Sequence, residues 1–122
     1  MNYTVKETRE SLAAKVGLGE VTEGYAGTVV DENGHEHSVW EDRLGYKQCR
    51  TCARVHHDAV RLTHMVKALT CEAVRVLMED ELRRTKADAD KARAKGDAEM
   101  AACYDRRAEA RTAALSRWTG EA

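Results

Sequence analysis

The chain has 122 residues, 34% of them charged for a net charge of −1, which is room for one compact domain and gives no overall basic field to draw it onto nucleic acid. Aromatic residues make up only 5%, and Phe and Pro are absent, so the core must be thin and built from Leu, Val, Met and Ala. No run of about 20 apolar residues occurs, which excludes a membrane-spanning helix.

With no apolar leader after Met1, the four cysteines Cys49, Cys52, Cys71 and Cys103 are expected as reduced thiols of a cytoplasmic protein. The wealth of Ala, Arg and Asp/Glu resembles the composition of high-GC genomes, actinobacteria and their phages. Residues 1–40 carry three Lys/Arg against seven Asp/Glu, and residues 41–70 carry six against three. The cationic zone therefore surrounds Cys49.

Three segments follow in chain order: a short N-terminal helix in 1–20, a β-hairpin and metal-binding segment in 21–52, and a helical hairpin in 53–122. Thr8 to Val16 reads as the short helix, with Thr8 as N-cap and Gly17 and Gly19 ending it. Tyr25 to Val30 is β-prone, Asn33-Gly34 is a two-residue turn signal, and His37 to Trp40 returns as the second strand.

From about Thr51 to Lys95 there is no Gly or Pro, and Val55, Ala59, Leu62, Val66, Leu69, Ala73 and Val76 recur in steps of four and three. That is one long helix with a coiled-coil-like seam. Gly96 and Asp97 end it and cap a return helix from about Ala98 to Trp118, whose mostly small face comprises Ala101, Tyr104, Ala108, Leu115 and Trp118. The fold class expected is mainly α, a long antiparallel helical hairpin with a small N-terminal β-hairpin region clamped by zinc.

The clamp rests on Cys49 and Cys52. A CxxC pair at a helix start puts two sulfurs on one side, and soft sulfur beside imidazole is the donor set of tetrahedral Zn²⁺. His35 and His37, near the predicted turn, are the candidates for the remaining positions. Asp31, beside the same turn, and His56, four residues after Cys52, are the alternatives. Cys71 and Cys103 read as inert thiols inside helices, and His57 and His64 as a solvated helical stripe.

Asp31-Glu-Asn-Gly-His35 followed by Gln48-Cys-Arg-Thr-Cys52 resembles the zinc-binding part of phage and actinobacterial HNH or endonuclease VII-like proteins. The resemblance covers residues 31–52 and implies His35, Cys49 and Cys52 as zinc ligands. Asp31 stands where the family has Cys, with His37 as the substitute. No stretch beyond Cys52 resembles the catalytic His-Asn-His element, so no enzymatic activity is implied.

Two functions fit these residues. The first is a non-enzymatic, zinc-stabilised interaction or assembly protein that pairs with a protein partner or a second copy of itself. The return helix covers only the part of the long helix nearest the turn, which leaves Val55, Ala59, Leu62, Val66 and Leu69 as an interface. The second is a nucleic-acid-binding module using Arg43, Lys47, Arg50, Arg54 and Arg61 with Trp40 and Tyr46. Nothing points to a small-molecule substrate.

Overall fold

The computed structural model describes residues 2–43, 46–54 and 71–120. The chain is mainly helical, with one small antiparallel sheet. Alternation of β-branched and polar residues at the N-terminus produces β1 (Thr4–Thr8), an edge strand that the sequence reading did not anticipate. Thr8 then closes the strand and opens α1 (Arg9–Val16). The Ser11 amide donates to Thr8 Oγ1 at 3.0 Å and the Thr8 amide donates to Ser11 Oγ at 2.8 Å, so each residue satisfies a donor that the helix start would leave unpaired. Gly17, at φ 88°, ends α1 as expected, and a 3₁₀ turn (Leu18–Glu20) follows.

The sheet runs in the order β1-β2-β3-β4, with β2 (Tyr25–Val30), β3 (Glu36–Glu41) and β4 (Lys47–Cys49), every neighbouring pair antiparallel. The β2–β3 hairpin forms where the sequence places it, but through a different loop. A two-residue turn at Asn33-Gly34 needs positive φ at both residues, and only Gly34 has it, at 81°. The chain instead makes a three-residue loop: the Gly34 amide donates to Asp31 O at 3.0 Å and the Asp31 amide to His35 O at 2.9 Å. Asp31 Oδ1 accepts from the amides of Asn33 and His35, both at 2.9 Å, and this bonding favours the wider loop.

One face of the sheet holds the core of the first unit, Met1–Leu77. Pairing of Val5 with Val29, Gly27 with Val39 and Val39 with Cys49 lines these residues up on that face, and Val29, Val39 and Cys49 are fully buried. Ala73, Val74 and Leu77, from the first turns of α3 (Glu72–Ala94), are buried as well. Gly27 is where the layers touch most closely. A β-carbon there would lie 2.7 Å from the Glu7 carbonyl oxygen and 3.0 Å from Leu77 Cδ1.

Toward the other face, the Tyr25 ring meets Trp40 edge-on at 5.6 Å between centroids, and its hydroxyl donates to Glu7 Oε1 at 2.8 Å. Burial raises the Tyr25 phenol to about 12, with the Glu7 hydrogen bond adding to the rise and Thr28 opposing it. The folded state thus holds this proton more tightly than the unfolded chain, whose phenol titrates near 10. The resulting stability is complete below pH 10 and is lost as pH rises from about 10 to about 12. Tyr25→Phe is expected to flatten that alkaline decline, measured as urea midpoints across the window; an unchanged slope would refute the assignment.

One continuous helix from Thr51 to Lys95 does not form. A short helix α2 (Arg50–Arg54) follows β4 directly, and Cys71 is non-helical, standing immediately before α3. Cys71 O accepts from the Val74 amide at 2.9 Å and its sulfur accepts from the Ala73 amide, so this residue is the N-cap of α3.

The second unit, Met78–Ala122, is the helical hairpin. Gly96 at φ 77° donates to Arg93 O and Asp97 to Ala92 O, a C-terminal cap of the Schellman type, and Asp97 Oδ1 then accepts from the Met100 amide to start α4 (Ala98–Gly120). Thr85, Ala89 and Ala92 of α3 and Ala101 and Ala108 of α4 are buried. The helices are antiparallel: Arg93 near the end of α3 pairs with Asp105 at 2.9 Å, and Arg111 further along α4 reaches back to Thr85 Oγ1. Small side chains let the backbones approach closely, as the predicted face Ala101, Tyr104, Ala108 requires. No helix among the described residues is long and apolar enough to cross a membrane.

Candidate metal centre

β3 presents residues alternately, so His37 and Val39 share the inner face, and Val39 pairs with Cys49 on β4. Cys49 therefore lies diagonally across from His37, close enough for their side chains to meet. The chain turns into α2 straight after Cys49, which brings Cys52 back over the same spot; its amide donates to Cys49 Sγ at 3.4 Å. The Ser38 amide donates to Thr51 Oγ1 at 3.0 Å and ties this turn to β3. Cys71, at the start of α3, supplies the fourth group.

Ligand atoms of His37, Cys49, Cys52 and Cys71 all lie within 4.8 Å of one another. His37 Nδ1 stands 3.6 Å from Cys49 Sγ, 3.9 Å from Cys52 Sγ and 3.8 Å from Cys71 Sγ, while Cys52 Sγ and Cys71 Sγ are 3.5 Å apart. A tetrahedron with metal–sulfur bonds of about 2.3 Å and a metal–nitrogen bond of about 2.0 Å has edges of about 3.5–3.8 Å. The donor set therefore fits a tetrahedral metal site in both chemistry and size.

Burial and hydrogen bonds within the cluster shift three of its groups. The Cys49 thiol is held well below the ordinary range by the hydrogen bond from Cys71, outweighing burial, with the Cys52 amide and His37 assisting. Cys71 is pushed up, since it is the donor to Cys49 and is buried. Burial alone would lower His37, but its hydrogen bonds to Asp31 and Cys49 prevail and raise it. Tyr3 closes one side, its ring centroid 6.1 Å from that of His37 in an edge-on contact. Its phenol is raised, chiefly by burial.

Of the residues singled out from sequence, Cys49, Cys52 and His37 come together. His35 does not: at the end of the loop its side chain is 78% exposed and its Nδ1 lies 3.7 Å from Asp31 Oδ2. The wider loop leaves it outside the strand, whereas His37 sits inside. Asp31 is not among the converging donors either; its Oδ2 stands 2.9 Å from His37 Nε2, the far side of the ring. The His37 bond holds the Asp31 carboxyl below the usual carboxylate range. His56 lies outside the described residues, as do Val55, Ala59, Leu62, Val66 and Leu69.

Cys71, expected as an inert helical thiol, is instead a member of the cluster, and Cys103 remains a half-buried residue of α4. The one sequence signal for Cys71 is that Thr70 and Cys71 are both mediocre helix formers in an otherwise helical run.

The cationic zone is partly engaged within the chain. Arg50 stacks its guanidinium 3.8 Å above the Trp40 ring, and Lys47 lies 3.8 Å from Glu41. Arg43 is exposed, and the side chains of Arg54 and Arg61 lie outside the described set. No protein-family model, curated protein or solved structure matches the chain.

Proposed function

We propose that the protein is a non-enzymatic interaction or assembly protein whose N-terminal unit is held together by one structural Zn²⁺. The observation that carries this reading is that four protein donors converge on one point. Zn²⁺ with four protein ligands keeps no position open for water or substrate, which separates structural from catalytic zinc. Three thiols and one imidazole also favour Zn²⁺ over the oxygen-seeking Mg²⁺ and Ca²⁺. The ligands come from β3, from the β4–α2 turn and from the start of α3, so one ion ties together segments far apart in sequence.

The partner surface in this proposal is the stripe Val55, Ala59, Leu62, Val66 and Leu69, and its support is the helical spacing of those residues. Two measurements test the reading. Protein purified without chelator should contain about one zinc per chain by elemental analysis. It should sediment as a dimer or with a bound protein partner, and Leu62→Glu should release a folded monomer. Absence of zinc, with Cys49, Cys52 and Cys71 all alkylated in the native state, would refute the metal centre. A wild-type monomer at high concentration, with no partner recovered, would refute the interface.

A further inference from the structure

Asp31 entered as a possible ligand, and the geometry points to a different task. We infer that Asp31 is a positioning residue that selects the His37 tautomer able to bind the metal, an inference that rests on the zinc reading above. The two oxygens of its carboxylate have separate partners. Oδ1 accepts from the backbone amides of Asn33 and His35, both at 2.9 Å, which locks the carboxylate in the loop. Oδ2 is thereby aimed at His37 Nε2, 2.9 Å away.

An oxygen that only accepts requires a proton on Nε2. A neutral imidazole carries one ring proton, so Nδ1 is left with a lone pair, and Nδ1 is the nitrogen that faces the three sulfurs at 3.6–3.9 Å. The arrangement is a carboxylate–histidine–metal relay in which the carboxylate fixes ring orientation and raises ligand basicity. It is sheltered: the side chains of His37 and Asp31 are 14% and 15% exposed. Loop and ligand are thus one device, because the hydrogen bonds that shape the three-residue turn also orient the carboxylate.

Asparagine separates this role from a merely structural one. Asp31→Asn keeps the oxygen that the two loop amides need and is itself a favoured turn residue, so the hairpin should form. Its amide nitrogen then takes the place of Oδ2 and donates toward Nε2, which favours the proton on Nδ1 and blocks the metal-binding nitrogen. Asp31→Ala removes the partner without imposing the wrong tautomer.

The test is zinc affinity by chelator competition, joined to ¹⁵N NMR of the His37 ring in metal-free protein, with pH raised until the ring shifts reach their neutral-form plateau. Asp31→Ala should weaken zinc binding by about 10- to 100-fold, and Asp31→Asn by at least as much despite its matching shape. His35→Ala should stay within about 2-fold of wild type, since its exposed ring makes no contact with the sulfurs. The wild-type ring should show a protonated Nε2, and the Asp31→Asn ring a protonated Nδ1. Zinc affinity within about 2-fold of wild type in both Asp31 variants, with Nε2 still protonated in Asp31→Asn, would overturn the inference and leave the zinc reading intact. A wild-type chain that takes up no zinc overturns the zinc reading instead, and the ring measurement on that chain still decides what Asp31 does to His37.

Discussion

Cys71→Ser should abolish stoichiometric metal binding and with it most of the stability of the N-terminal unit. Serine is a better helix N-cap than cysteine, so the first turn of α3 loses nothing by the exchange and the loss reports on the sulfur alone. Structural zinc contributes on the order of 10–16 kcal/mol to folding in small zinc-dependent peptides, and a three-donor remnant keeps only part of such a contribution. Among the described residues of the unit, the largest fully buried side chains are only Leu77, Val29, Val39, Val74 and Cys49, a thin core beside such a contribution. Zinc content by elemental analysis and a thermal melt followed by near-ultraviolet signal check the expectation. Cys103→Ser is the matched control and should retain about one zinc per chain. If Cys71→Ser keeps its zinc and its melting temperature, Cys71 is the inert thiol that its sequence context suggests.

Gly27→Val should destabilise the protein nearly as severely, for a steric reason. The β-carbon alone would stand 2.7 Å from a backbone oxygen on β1, which cannot swing aside as a side chain can, and 3.0 Å from Leu77 Cδ1. Valine adds two further carbons to the same space. Overpacking of this kind costs typically 1–3 kcal/mol and more where backbone must move. Gly27→Ala should cost about 2 kcal/mol, and truncating Leu77 to Ala in the same chain should not rescue it, because the closer clash is with the Glu7 carbonyl. Urea unfolding of the single and double variants decides this. Full rescue by the Leu77 truncation would show that the side chain, rather than the strand, sets the limit.

Local signals in the sequence proved sufficient where structure is decided locally. Thr8 caps α1, Gly17 ends it, and Gly96-Asp97 turns the helical hairpin, because caps and left-handed turns depend on one or two residues. The strands of the β2–β3 hairpin were legible from β-branched residues. The loop between them was not, since Asn33-Gly34 carries a two-residue signal that two amide hydrogen bonds to Asp31 override. β1 and β4 escaped notice for a related reason. Both are edge strands, and β4 is only three residues long, formed through pairing with β3 rather than by any pattern of its own.

The metal centre divides along the same line. Cys49 and Cys52 announce themselves by spacing, and His37 by its place on a strand. Choosing between His35 and His37 required the loop length, which moves one imidazole to the rim and leaves the other inside. Cys71 stands 19 residues beyond Cys52 in what reads as uninterrupted helical periodicity, so only the path of the chain in space brings it to the cluster.

Cys71 is at once a donor of the cluster and the cap of α3, and this fixes the rotational setting of a helix as well as its starting point. Each added residue turns a helix by about 100°, so the interval from Cys71 to Val74 and Leu77 works as a clock that the sulfur sets. One residue inserted between Glu72 and Ala73 would leave the sulfur in place and swing Leu77 away from the Gly27 gap, with the shorter Val76 delivered there instead. The six-residue spacing from sulfur to leucine is therefore expected to tolerate substitution far better than insertion or deletion.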